Sequence, residues 1–367
     1  MEKVRASNLI GLDYRAEAGR MSRFAHGIID VHTHINGDRA AAIYQEAREL
    51  FGVRLTYSMT QMMHAESVKR VLGDSVRFIA TPNFGETDRS RAFGEGFIEA
   101  IDRWYDLGAR MVKFWSAPRG RDIGREAGDW RIVTLHNPLR RKQMDHAAAK
   151  GMMFMVHVAD PDTWFKTKYS DASRYGTKRE QYEPLEVLGS EYPRVPWILA
   201  HMGGWPENLD FLDGLLTRHP NFYLDTSATK WMVRELSKHP SDRMLEFHTK
   251  WSGRILFGSD IVTSEAHVGG AYTGGPPTGE SSTPEEAFDL YASRYWALRM
   301  QYESRHEGRS PIADPDLMMV EPGKYDEAAS PMLRGHGLPG ELLRVMYHDA
   351  ARELLERFYG EFRMPRA

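Results

Sequence analysis

Short apolar runs and longer stretches of helical spacing alternate along the whole chain. Apolar or β-branched runs recur at 27–35 (GIIDVHTHI), 53–59 (VRLTYSM), 76–82 (VRFIATP), 109–115 (ARMVKFW), 152–158 (MMFMVHV), 196–202 (PWILAHM), 221–227 (NFYLDTS) and 254–260 (RILFGSD). Runs of this length predict eight strands. Between them, segments such as 39–50 (RAAAIYQEAREL), 96–108 (GFIEAIDRWYDLG) and 138–151 (PLRRKQMDHAAAKG) carry apolar residues at helical spacing with charged faces. Strand and helix in strict alternation predict a parallel sheet with crossover helices, and eight such units predict an α/β fold of the (β/α)8 TIM-barrel type. An open doubly wound sheet is the alternative, but the first strand is not followed by the Gly-rich dinucleotide fingerprint.

Three segments exceed what a minimal barrel needs. Residues 1–24 precede the first strand, 160–183 lengthen the loop after the fifth, and 261–283 form a Gly-, Ser- and Thr-rich loop after the eighth. Long loops on this end of a barrel shape a site. Residues 338–358 read as a C-terminal helix, and the whole of 1–367 as a single barrel domain.

Composition narrows the function. Lysine plus arginine number 48 against 51 aspartate plus glutamate, a net charge of −3. That balance gives no electrostatic reason for a nucleic-acid or anionic-membrane partner and makes a small molecule the expected one. The chain has no cysteine, which excludes disulfides, thiolate metal ligation and a cysteine nucleophile. No run approaches the ~20 apolar residues of a membrane span, so a cytoplasmic location is expected.

The chemistry is concentrated at the strand ends. Fifteen histidines would yield a chance His-x-His pair about half the time, so His32 and His34 are weak evidence by spacing alone. Their context says more. Residues two apart on a strand face one side, which predicts that Asp30, His32 and His34 share a face. Lys113, His157, His201, Asp225 and Asp260 occupy the ends of the fourth to eighth strands. In a barrel these ends converge, and packing alone does not place ionisable groups at the mouth of successive apolar strands.

With these residues in view, the chain resembles the amidohydrolase superfamily, and within it the branch containing aminocarboxymuconate semialdehyde decarboxylase. The likeness runs from IIDVHTHI through MVKFW, FMVHVAD, WILAHMGG and ILFGSD to LPGELLRVMYHDAARELL. It implies one divalent metal, zinc or alternatively manganese, held by His32, His34, His157 and Asp260, with His201 close by. Asp260 and His201 are then the expected catalytic residues. Imidazole and carboxylate donors suit a zinc site that keeps a position for water. Lys113 is open between a carbamylated bridge to a second metal and an unmodified lysine that anchors substrate, the latter preferred.

The expected reaction is hydrolysis of an ester, lactone or amide-like bond by a metal-activated water. The alternative is decarboxylation of a carboxylated aromatic or unsaturated acid. A non-catalytic metal-binding barrel is the reading from another class. Arg119, Arg121 and Arg125 after the fourth strand, and Trp164, Lys166 and Lys168 after the fifth, would overhang the site. They point to a carboxylated or aromatic substrate, with Arg119 and Trp164 the residues singled out. His267 is expected to be a solvated loop residue, although it is near enough in sequence to Asp260 to touch substrate. Dimers are common in the resembling branch, so a homodimer is one expectation.

Overall fold

A computed structural model describes residues 5–269 and 281–361. The chain has an α/β fold of the TIM-barrel class. Its principal strands are β1 (Ile28–His34), β2 (Val53–Ser58), β3 (Val76–Phe78), β4 (Met111–Trp115), β5 (Met153–His157), β6 (Trp197–Leu199), β7 (Phe222–Asp225) and β8 (Ile255–Leu256). All eight lie within the runs the hydrophobic pattern marks. Helices follow in turn, among them Asp38–Leu50, Ala65–Leu72, Glu95–Asp106, Pro138–Ala149, Tyr182–Glu191, Leu209–Arg218, Ser241–Lys250 and Pro284–Glu303.

The chain divides into two compact units. Among the described residues, the first comprises 5–76 and 226–354, and the second 77–225 and 355–361.

In the first unit, β1 is buried along almost its whole length and pairs in parallel with β2, Ile28 opposite Val53 and Thr33 opposite Ser58. On its other side the Val31 N–H donates to the Phe257 carbonyl at 2.9 Å. A further short strand, β9 (Ile261–Val262), pairs with Thr33 and His34. The segment after the eighth strand thus begins as sheet where a loop is expected, and residues 270–280 of that loop lie outside the described residues. Helix Asp38–Leu50 starts at Gly37, whose φ of 81° only glycine adopts readily. The Glu265 carboxylate accepts the N–H groups of Arg39 at 2.8 Å and Ala40 at 3.2 Å, capping this helix from a distant loop. A Cβ at Gly37 would collide with that carboxylate.

In the second unit, β4, β5, β6 and β7 pair in parallel and in chain order. The Lys113 N–H donates to the Ala80 carbonyl at 2.8 Å, carrying the backbone just beyond β3 along β4. Phe114 packs edge-on against Phe97 of helix Glu95–Asp106 and against Phe154, which meets Trp197. Because side chains alternate along a strand, Lys113 faces away from that aromatic layer. Phe154 likewise fixes His157, three residues on, to the opposite side of β5.

The 160–183 insertion folds into short helical pieces, Asp162–Lys166, Ala172–Tyr175 and Arg179–Gln181. Asp122 anchors it, accepting from the Arg174 guanidinium at 2.6 Å and the Tyr175 hydroxyl at 3.0 Å. Among the described residues, no helix is long and apolar enough to cross a membrane.

Candidate metal centre

His32 and His34 leave β1 toward Asp260. The His34 Nε2 lies 3.2 Å and the His32 Nε2 3.4 Å from the same oxygen, Asp260 Oδ1. These three residues form a group that could hold a metal ion. His32 is buried, whereas His34 and Asp260 are partly open, so the group has a closed side and an accessible one. The Ser227 Oγ sits 3.0 Å from His32 Nδ1, occupying the nitrogen that faces away from Asp260. A partner on one ring nitrogen fixes which nitrogen the histidine presents to a cation.

Asp30 does not join the two imidazoles, contrary to its place in the alternation. A register shift between Asp30 and Thr33 breaks the two-residue period of β1. Its carboxylate instead accepts from the Ser259 Oγ at 2.6 Å, the Tyr295 hydroxyl at 2.9 Å and the His32 and Ser259 N–H groups, both at 3.1 Å. Burial pushes its pKa up to about 6, against the pull of these hydrogen bonds. Tyr295 passes the network to Tyr44 at 2.8 Å, and Tyr44 to Thr56 at 2.8 Å. Asp30 is therefore a structural acceptor beneath the histidine pair, tying β1 to β2 and to helix Pro284–Glu303.

Backbone strain marks the same residues. Among the described residues, the non-glycine positions with positive φ are His201, Met202, Ala228 and Asp260. Such conformations cost on the order of 1 kcal/mol or more and persist where the surroundings impose them, commonly at functional sites. Asp260, at φ 60°, is held by its N–H donating to the His32 carbonyl at 2.8 Å. His201, at φ 60°, is held by its N–H donating to Asp225 Oδ1 at 2.9 Å. Strand β6 ends at Leu199, so His201 sits in a left-handed turn beyond it. Asp225, which the strand pattern also aims at the site, serves here as the acceptor that shapes that turn.

In the second unit, His157 closes β5 and its ring meets that of His201 edge-on, with centroids 4.4 Å apart. His157 Nε2 lies 2.8 Å from Asp160 Oδ1, and the Tyr169 hydroxyl donates to Asp160 Oδ2 at 2.7 Å. Burial, and then the Asp160 charge, push the Tyr169 hydroxyl far up, so it stays a donor. The loops that carry the two histidines touch closely: a Cβ at Gly204 would collide with the Ala159 carbonyl, and Gly204 has a φ of 76°. Lys113 is buried on β4.

Of the two recognition residues singled out, Arg119 is exposed at the start of helix Gly120–Glu126, its charge and backbone facing Tyr169. Trp164 is half-buried in the insertion, with the Lys168 ammonium 3.3 Å from its ring centroid. His267 is buried, and its Nδ1 lies 2.9 Å from the Tyr291 hydroxyl. Helix Pro284–Glu303 enclosed it, an element the loop reading of this region did not contain. Sequence reasoning missed Ser227, Asp160 and Tyr169 as partners of the site. Asp160 had a signal, since it lies three residues past a strand-end histidine in the run HVAD. Ser227 and Tyr169 had none, because only the folded chain brings a hydroxyl to those atoms.

No curated protein matches this chain in sequence. Among solved structures, it is similar to an uncharacterized TIM-barrel protein from Bordetella bronchiseptica, at 13% identity over 91% of this chain and 99% of that one, with a TM-score of 0.47. It is also similar to an amidohydrolase from Burkholderia multivorans with bound HEPES, at 12% identity over 92% of this chain and 99% of the other, TM-score 0.38. A third, amidohydrolase 2 from Bifidobacterium longum subsp. infantis, shares 14% identity over 73% of this chain and 98% of its own, TM-score 0.35. A family model described as amidohydrolase matches residues 29–357, nearly the whole chain and all the strand-end residues above. The chain belongs to the amidohydrolase family.

Proposed function

We propose that the chain is a zinc-dependent hydrolase that cleaves an ester, lactone or amide-like bond in a small carboxylated molecule. Family membership supports an enzyme of hydrolase or decarboxylase type with a divalent metal. The observation that carries the metal reading is the spacing of His32, His34 and Asp260. Donors at ~2.0–2.1 Å from a tetrahedral zinc stand about 3.3 Å from one another. The two imidazole nitrogens stand 3.4 and 3.2 Å from Asp260 Oδ1, and the three donors have the N/N/O chemistry zinc takes. His157 is assigned as the further ligand and His201 as the neighbouring acid, with one metal and an unmodified Lys113.

A divalent cation so held supplies Lewis-acid polarisation and lowers the pKa of water. Asp260 would be among the residues that hold the cation, and its carboxylate would take the proton of the attacking water. His201, fixed by its strained turn, donates a proton to the oxygen that gains charge as the bond breaks. Lys113 pairs its buried ammonium with the substrate carboxylate, while Arg119 and Trp164 line the approach.

Product analysis in H2(18)O tests the reaction with zinc-loaded protein over lactones, amides and carboxylated phenols. Label in a newly formed carboxylate is expected. Release of CO2 with no label in the organic product would replace hydrolysis by decarboxylation, the chemistry of the branch the sequence resembles.

A further inference from the structure

His32 and His157 meet a side-chain partner through opposite ring nitrogens. His32 has Ser227 on Nδ1 and turns Nε2 to Asp260, whereas His157 has Asp160 on Nε2. We propose that Asp160 is a positioning residue that commits the His157 proton to Nε2 and presents Nδ1 as the ring's ligand atom. This rests on the reading of His157 as a metal ligand.

The argument runs on donors and acceptors. Asp160 is 1% exposed, and each of its oxygens has one partner, His157 Nε2 at 2.8 Å and the Tyr169 hydroxyl at 2.7 Å. A carboxylate only accepts, so the hydrogen of the first contact belongs to Nε2. In a neutral imidazole the other nitrogen then carries the lone pair. Tyr169 prevents the carboxylate from rotating, because its hydroxyl holds the second oxygen. The 160–183 insertion thereby acquires a function, since it delivers Tyr169 to Asp160. Histidine ligands are commonly oriented by a carboxylate in this way, and loss of such a partner typically weakens metal binding about 10–100-fold.

Asp160→Asn separates charge and hydrogen-bond direction from shape. The amide can accept from Tyr169 and donate to Nε2, which moves the ring proton to Nδ1 and blocks the ligand atom. With histidine labelled in 15N, the full-length protein should show the Nε2–H form of His157 before zinc addition, and the Nδ1–H form in the variant. Zinc titration against a competing chelator should show a 10–100-fold weaker dissociation constant for Asp160→Asn, and a smaller loss for Tyr169→Phe. An Nδ1–H ring in the native protein, or a variant with unchanged tautomer, overturns the proposal. A changed tautomer with native zinc affinity in both Asp160→Asn and His157→Ala would uphold the positioning role and remove His157 from the ligands, which is a failure of the functional reading instead. Should Asp160→Asn not fold, Tyr169→Phe decides alone, because it removes one hydroxyl: undiminished zinc affinity and native tautomer would overturn the proposal.

Discussion

Asp260 adopts a left-handed backbone that a glycine would hold without strain. Asp260→Gly should therefore stabilise the metal-free protein by about 1 kcal/mol while removing zinc binding and turnover. Thermal melts in chelator, set beside zinc titration, check both halves of that exchange; a melting temperature below the native value would show that the carboxylate contacts outweigh the strain. The histidine pair and Asp260 were legible in the sequence because their signals are local, a two-residue spacing and a strand end. The departure of Asp30 from its neighbours was not, since it depends on a register shift in β1 and on a hydroxyl from Tyr295, 265 residues away. Asp160 lay between these cases: its spacing from His157 was visible, and its partner Tyr169 was not.

Elements show the same division. The eight strands were readable as apolar runs, and the helices on the surface as amphipathic periods. Helix Pro284–Glu303 escaped because it is buried on nearly all faces, which leaves no polar stripe to mark its period. Its start was nevertheless written in the sequence. Thr283 accepts the Glu286 N–H at 3.2 Å, Pro284 follows the cap, and Glu286 reaches back to the Ser282 N–H at 2.8 Å. Thr283→Ala should cost about 1 kcal/mol in chemical denaturation; an unchanged midpoint would mean that tertiary packing alone holds this end. The C-terminal helix expected over 338–358 is present as Gly340–Arg344 and Ala350–Tyr359, joined by a π-turn at Val345–Asp349. The Met346 carbonyl in that turn accepts the Phe257 N–H at 3.1 Å, a bond beyond β8 that a regular helix would contest.

For the molecule as a whole, two buried histidines give stability a pH dependence. His248 is pushed down to about 4 by burial, and His336 to about 4 by burial and then by the nearby His248. The unfolded chain, with histidines near 6.5, binds more protons than the folded one between these values. Their contribution is therefore full above about pH 6.5 and is lost as pH falls toward 4. Asp30, raised to about 6, acts in the opposite sense. The difference between native protein and His336→Gln isolates the histidine term. The variant should lose less melting temperature between pH 7 and pH 4.5, and parallel curves would show that His336 is not held neutral.

The long reach of the Asp30 network bears on the order of synthesis. Asp30 emerges early, yet its donor Tyr295 is made 265 residues later. At translation rates of ~5–20 residues per second that interval is roughly 13–53 s. Residues 77–225 of the second unit are made within it, although 355–361 of that unit come later still, and the first strand must wait with a carboxylate it cannot yet bury. The nascent chain therefore carries β1 through that interval without its Tyr295 donor, and chaperone engagement during translation is expected there.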